Sequence, residues 1–436
     1  MKRAVALVLG TLLCTSAAWS ADLLQVYRDA LAYDAPFASA RAQRDAGQER
    51  VVQARAGLLP VIGASGSTTY NDADISSRGT VQYNSNTYGV QLTQPVFRWQ
   101  NWVQFKQGQL QTAFADTQFG LAQQDIILRV SQAYFDVLNA QDVLAAVTQL
   151  RQAAAEQLEI AKTSFEVGTV TITDVHEAQS RFDLAQAQEI AAQSDIDVRR
   201  QVLALIVGKE TDALAGLRPG VTIARPQPDA VGAWMAAAEQ GGYGVQLQQL
   251  AREIAVREVE RSRAGHYPTL DVVATHGRNS AGFSQSGLGG ATRTESSTIG
   301  LQLNVPLYQG GGVSSRVRET AALQVQAEAD LEDARRNAAL AARQAYVGVT
   351  SGIAQIRALE AAEVSSTSAL DANRLGYEVG VRINIDVLNA QSQLADTQRQ
   401  LARARYDTLL SQLRLKAAAG TLSEEDVREL NALLAQ

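Results

Sequence analysis

The chain states one pattern twice, about 210 residues apart. Residues 165–179 read FEVGTVTITDVHEAQ and residues 377–391 read YEVGVRINIDVLNAQ, so Gly168 falls on Gly380, Asp174 on Asp386 and Gln179 on Gln391. Arg55-Ala56-Gly57-x-x-Pro60 returns as Arg263-Ala264-Gly265-x-x-Pro268, Ala133-Tyr134 as Ala345-Tyr346, and Gly208 as Gly420. A period this long is no solenoid repeat. It predicts a duplicated half-domain in which each copy runs strand, strand, long helix, helix, which suggests a conduit and not a globule.

The helices follow from punctuation. After Pro95 there is no proline until Pro219, and after Pro306 there is none. Helical patterns are expected over 98–165 and 310–376, with returning helices over 172–207 and 384–419. At 1.5 Å per residue the first of each pair reaches roughly 100 Å. The turns fall at Val167-Gly168-Thr169 and Val379-Gly380-Val381, where glycine supplies a positive φ, and Gly208 and Gly420 read as C-terminal caps. Ala and Gln dominate these stretches, which suits closely packed helices. A further helical pattern runs from Asp22 to Ala56, interrupted at Pro36.

Between the helices the period changes to two. Strands are expected over 61–72, 80–97, 269–278 and 296–308. Tyr88, Val90 and Leu92 alternate with Gly89, Gln91 and Thr93; Ile299, Leu301 and Leu303 alternate with Gly300, Gln302 and Asn304. Apolar-out, polar-in alternation marks a membrane β-barrel, although a soluble hairpin half-buried on a core has the same period. Tyr70, Tyr83, Tyr88, Trp99, Trp102 and Tyr308 lie near strand ends, where an aromatic girdle would sit. Four strands cannot close a membrane barrel, and open edges cannot face lipid. Two chains would supply eight strands and three would supply twelve.

The first twenty residues read as an export signal, with Lys2 and Arg3, an apolar Ala4–Leu13 and Ala18-Trp19-Ser20 before an expected cleavage. The single cysteine, Cys14, lies inside this segment behind Leu12 and Leu13, so no disulfide or Cys metal site is expected. Elsewhere no segment approaches twenty apolar residues. The organisation expected is a signal over 1–20, a first repeat over 21–210, a proline-bearing linker over 211–228, a second repeat over 229–422 and a tail over 423–436. Net charge is −6 and pI about 5.3, without the basic face that nucleic acid requires. His176, His266 and His276 are too scattered for a metal spacing, and Asp72 and Asp74 read as solvated loop carboxylates. No nucleophile–base pair and no phosphate loop is present. No enzyme, cofactor or metal is expected.

The residues at both ends and at both turns resemble the TolC-type outer-membrane channels. The opening Leu24-Gln25-Val26-Tyr27, the Ala54-Arg55-Ala56-x-Leu58-Leu59-Pro60 stretch, the two turns and the close Lys416-Ala417-Ala418-Ala419-Gly420-Thr421-Leu422 match in order. The resemblance implies an α+β fold, internally duplicated. Four membrane strands per chain contribute to a trimeric twelve-stranded barrel in outer-membrane lipid. Long antiparallel helical hairpins continue it as a periplasmic tunnel. A periplasmic adaptor and an inner-membrane transporter dock on it, and the assembly serves efflux or type I secretion. Carried over by position, Asp174 pairs with Arg382, Thr173 contacts Tyr377, and the six tip residues named above face the adaptor. For Asp174 a helix cap is the alternative, with Thr173 or Asp174 opening the returning helix. The family places an acidic ring at the narrowest point; Asp386 supplies one position and Asn389 stands at the second, which puts strong cation selectivity in doubt. The rival readings are a periplasmic adaptor and a coiled-coil scaffold without a pore.

Overall fold

The computed structural model describes residues 21–76, 79–211, 213–283 and 290–435. The expected export signal over 1–20 lies outside the described residues. Elements follow in the order α1 (Leu23–Tyr33), α2 (Ala35–Ala56), β1 (Val61–Ile75), β2 (Gly79–Phe97), α3 (Trp99–Glu166) and α4 (Ile172–Val207). The second half gives α5 (Val231–Gly241), α6 (Tyr243–Arg263), β3 (Thr269–Ala281), β4 (Thr292–Asn304), α7 (Gly312–Glu378), α8 (Asn384–Ala418) and α9 (Glu424–Asn431).

The first helical stretch is two helices. Asp34 is extended, with ψ 117°, and its carboxylate accepts from the Phe37 N–H at 2.9 Å. An N-cap acceptor followed by proline in the first turn starts a helix efficiently, so the break falls at Asp34, two residues ahead of the proline.

The four strands form one antiparallel sheet in the order β1-β2-β3-β4. The central pairing joins the two halves, with Leu92 opposite Ala274. Because the pleat alternates, this register sorts the side chains by face. Ile62, Leu92, Ala274 and Ile299 form one row across all four strands. The neighbouring row, Gly63, Gln91, Thr275 and Thr298, points to the other side. Over the half of the sheet nearest the helices one face is therefore apolar, with Leu270, Val272, Leu301 and Leu303 continuing it. Farther out the same side carries His276, Arg278, Arg293 and Glu295, and the opposite face is mostly Gly, Ser, Thr, Asn and Gln with Val61 and Val273 among them. Ile299, Leu301 and Leu303 are 80%, 72% and 64% exposed, so none of the described residues covers this part of the apolar face. Phe97, Trp102, Tyr267, Leu307 and Tyr308 are exposed beside the strand-to-helix junctions. Tyr70 and Tyr88 sit farther out on the apolar side, whereas Tyr83 faces the opposite way and packs against Phe283.

The junction is pinned across the halves. Pairing slips by a residue between Pro95 and Phe97, and Arg98, the N-cap of α3, makes a fork-shaped pair with Asp271 of β3 at 2.7 and 2.6 Å. A bidentate guanidinium–carboxylate pair fixes angle as well as distance, so it sets the direction in which α3 leaves the sheet.

From there α3 (68 residues) and α7 (67 residues) run without a break, each roughly 100 Å long. They return as α4 and α8. Backbones approach closely where glycine permits: a Cβ on Gly108 would lie 2.7 Å from Ala54 Cβ and 3.0 Å from the Arg50 carbonyl of α2. Among the described residues no helix is long and apolar enough to cross a membrane.

The main core lies midway along the helices. Leu23, Val26 and Tyr27 of α1 meet Tyr134 and Phe135 of α3, Leu409 and Leu413 of α8, and Val427 and Leu430 of α9. From the linker, Leu214, Ala215, Leu217 and Ile223 lie in or against this core; Tyr134 donates its hydroxyl hydrogen to the Ala215 carbonyl at 2.7 Å, and Leu217 bridges to Leu434. The C-terminal residues thus carry a packed helix, opened by a Ser423/Asp426 capping box. Burial pushes the Tyr134 and Tyr406 phenols far above their ordinary range, so both remain hydrogen-bond donors; Tyr406 donates to Asp142 at 2.7 Å.

Candidate functional site: the hairpin tips

Each tip is a helix end folded over a glycine. Gly168 and Gly380 both hold φ at +78°, a conformation that costs a residue with a side chain. The Thr169 N–H donates to the Ser164 carbonyl and the Val381 N–H to the Gly376 carbonyl, both at 2.9 Å, which ties off the last carbonyls of α3 and α7. Val167, Val379 and Val381 are 71%, 65% and 76% exposed at the two ends; Gly168, Thr169 and Gly380 lie between or beside them.

The two tips then diverge. In the first, Thr171 and not Thr173 or Asp174 is the N-cap of α4. Asp174 is the third helical residue and closes a capping box, accepting from the Thr171 N–H and hydroxyl at 2.8 Å each. The signal was present as Thr-x-x-Asp, the capping-box spacing. In the second tip the equivalent cap position is Ile383, which has no side-chain acceptor. Asp386, at the third position again, is left to Arg382 one turn before it, at 3.6 Å. The structure therefore does not bring Asp174 to Arg382 within one chain. Nor, among the described residues, does it give Thr173 a hydrogen bond to Tyr377.

Two residues that the sequence reading passed over join the tips. Leu388 of α8 packs among Ala154, Leu158 and Ala161 of α3 and Ala178 of α4. One residue on, Asn389 accepts a hydrogen bond from Arg181 Nη2 of α4 at 3.1 Å. Arg181 follows Asp174 by seven residues, two turns along one helix face; that spacing was the available clue.

Among the described residues no cluster of His, Cys, Asp and Glu could hold a metal ion. His276 is on β3, its Nδ1 2.8 Å from Ser297 Oγ, far from His176 on α4.

Comparison with known proteins agrees with this geometry. The family model for outer membrane efflux proteins matches residues 26–209 and 243–421, both repeats. The chain is similar to the outer membrane protein TolC of Vibrio cholerae, 35% identical over 98% of this chain and 97% of that protein. It is also similar to the proteases secretion protein PrtF of Dickeya chrysanthemi, 31% identical over 99% of this chain and 95% of that one. In fold it is similar to the outer membrane protein VceC of Vibrio cholerae, with a TM-score of 0.78 at 20% identity, covering 91% of this chain and 96% of that one. With both repeats matched and near-full-length relatives above 30% identity, the chain belongs to the outer membrane efflux protein family.

Proposed function

We propose that three copies of this outer-membrane protein close their sheets into one twelve-stranded barrel and continue it as a helical tunnel across the periplasm. The protein is an exit duct for efflux or type I secretion, passing substrate from an inner-membrane transporter to the exterior. The observation that carries the reading is the sheet. It has one apolar face, one polar face and two unpaired edges, and it runs directly into helices of roughly 100 Å. Unpaired edges cannot face lipid, so β4 of one copy must meet β1 of the next, with the polar faces lining the lumen. Along the helices Val198, Val202 and Leu205 of α4 and Val347 and Val364 of α7 stand exposed; such surface marks a contact, and here the partner is a second copy. The apolar tips formed by Val167, Gly168, Thr169, Val379, Gly380 and Val381 face a periplasmic adaptor. No step of this function calls on catalysis.

At the far end the tips close the tunnel. Asp174 of one chain pairs with Arg382 of the next, Thr173 lies against Tyr377, and Asp386 and Asn389 line the narrowest ring. Purified protein in a planar bilayer is expected to give small, stable current steps with cation preference, and Asp386→Asn to reduce that preference. A folded sample that gives no steps would move the protein to the scaffold reading. Joint replacement of Asp174 by Ala and Arg382 by Ser is expected to raise conductance. The partly exposed pairs contribute about 1 kcal/mol or less each, and Ala at 174 also removes a capping box worth about 1 kcal/mol. Unchanged conductance in this double variant removes the latch between chains.

A further inference from the structure

We propose that Arg181 and Asn389 form a second latch, within one chain, that fastens the inner end of the second hairpin to the first and sets how readily the tip opens. The proposal rests on the duct reading above and adds a gating element to it.

The two residues are 208 positions apart and meet only because α8 lies against α4 at the tips. Over residues 150–190 and 365–400, theirs is the one polar side-chain contact between the hairpins among the described residues; the other polar contacts there stay inside one hairpin. The apolar contact beside it is small, with Leu388 set among Ala154, Leu158, Ala161 and Ala178. Near their ends the hairpins thus share the small cluster around Leu388, flanked by Val175 and Phe182, and one side-chain hydrogen bond, whereas midway along they share a large core.

Arg181 is also uncommitted elsewhere. Among the described residues it makes no ion pair. Its neighbour Asp183 accepts from Gln179 at 2.8 Å, and Asp386, the acid nearest Asn389 on α8, is 3.6 Å from Arg382. The guanidinium therefore has Asn389 as its partner. A neutral amide oxygen accepts more weakly from a guanidinium than a carboxylate does. Asparagine at 389 thus makes a bond that holds the tip and still breaks at modest cost. An aspartate there would convert it to an ion pair and fasten the tip harder. This contact needs no neighbouring chain, so it is independent of the Asp174–Arg382 pair proposed between chains.

The test is a double-mutant cycle read by single-channel current and by trypsin cleavage at Arg382 and Lys162 in detergent-purified protein. Arg181→Ala and Asn389→Ala should each raise open occupancy about threefold, equivalent to about 0.6 kcal/mol, and should speed tip cleavage by a similar factor. The double variant should go no further than either single one, and Asn389→Asp should fall below wild type in both readouts. Asn389→Ala carries no charge change, so it separates the bond from simple electrostatics. If Arg181→Ala alters the current while Asn389→Ala does not, Arg181 acts through its charge and the latch is wrong. Wild-type rates in both single variants, or additive effects in the double one, overturn it as well. If the wild-type protein conducts nothing, the duct reading fails, and the cleavage rates still decide whether the tips are tethered.

Discussion

Leu301→Arg is expected to abolish stable membrane insertion, while Gln302→Arg, the next residue along the same strand, is expected to leave it intact. Leu301 sits in the middle of the apolar run of β4, between Ile299 and Leu303, opposite Val272. Gln302 points to the other face, opposite Asp271. A cation on the lipid face near the bilayer midplane costs about 2–4 kcal/mol per chain, and in a trimer the cost is met three times. On the lumen face the same cation is solvated. Outer-membrane fractionation and heat-resistant oligomer migration in detergent read the difference. Equal tolerance of both substitutions would mean that the sheet's apolar face is not in lipid.

The second large effect lies far from the membrane. Arg129 of α3 donates to both oxygens of Asp34, at 3.0 and 2.8 Å, and Asp34 is only 4% exposed. Asp34 also caps α2 through the Phe37 N–H. Replacing Arg129 by Met leaves a buried carboxylate without its cation, at a cost of about 3 kcal/mol. Thermal unfolding followed by helical circular dichroism should show it as a lowered midpoint. The pH dependence has a definite sign. Hydrogen bonding from Arg129 holds the Asp34 carboxyl below its ordinary value, outweighing the opposing effect of burial. A carboxylate whose folded pKa is depressed contributes stability that is fully present above the unfolded value of about 3.9 and lost as pH falls through the folded value. The gap between wild type and Arg129→Met should therefore stay constant from neutral pH to about pH 5 and shrink below about pH 4. A gap that persists undiminished in acid would assign the loss to packing and not to the ion pair.

Much of the architecture was readable from two kinds of local signal. The change from a period of 3.6 to a period of two marked where helices give way to strands, and proline-free runs bounded by Gly168, Gly208, Gly380 and Gly420 gave the hairpins. Alternation in Ile299–Asn304 gave the two faces of β4, because side-chain direction in a strand is fixed by parity alone. The duplication added a check, since each half repeats the order of the other. Local reading was less secure at Pro36. Proline there signalled a break, but the break was made two residues earlier by Asp34, whose side chain caps the following helix.

The tips show where such reading ends. Asp174 and Asp386 occupy equivalent places, so the sequence treated them alike. Their partners differ because Thr171 can cap and Ile383 cannot, and the carboxylate goes to the nearest strong donor left free. The sequence by itself determined the class of the strands and of the long hairpin helices, the faces of the strands and the places where the chain turns back, because these depend on backbone preferences and on spacing along the chain; the short helix α9, in what reads as a tail, was not legible in it. Only the tertiary structure decided which elements meet: β2 against β3, Arg98 on Asp271, Arg129 on Asp34 and Arg181 on Asn389. Charged and amide groups offer many partners of equal chemistry along the sequence. Which one is chosen depends on a few ångströms of approach between residues 95 to 208 positions apart, and distance along the chain carries no information about that.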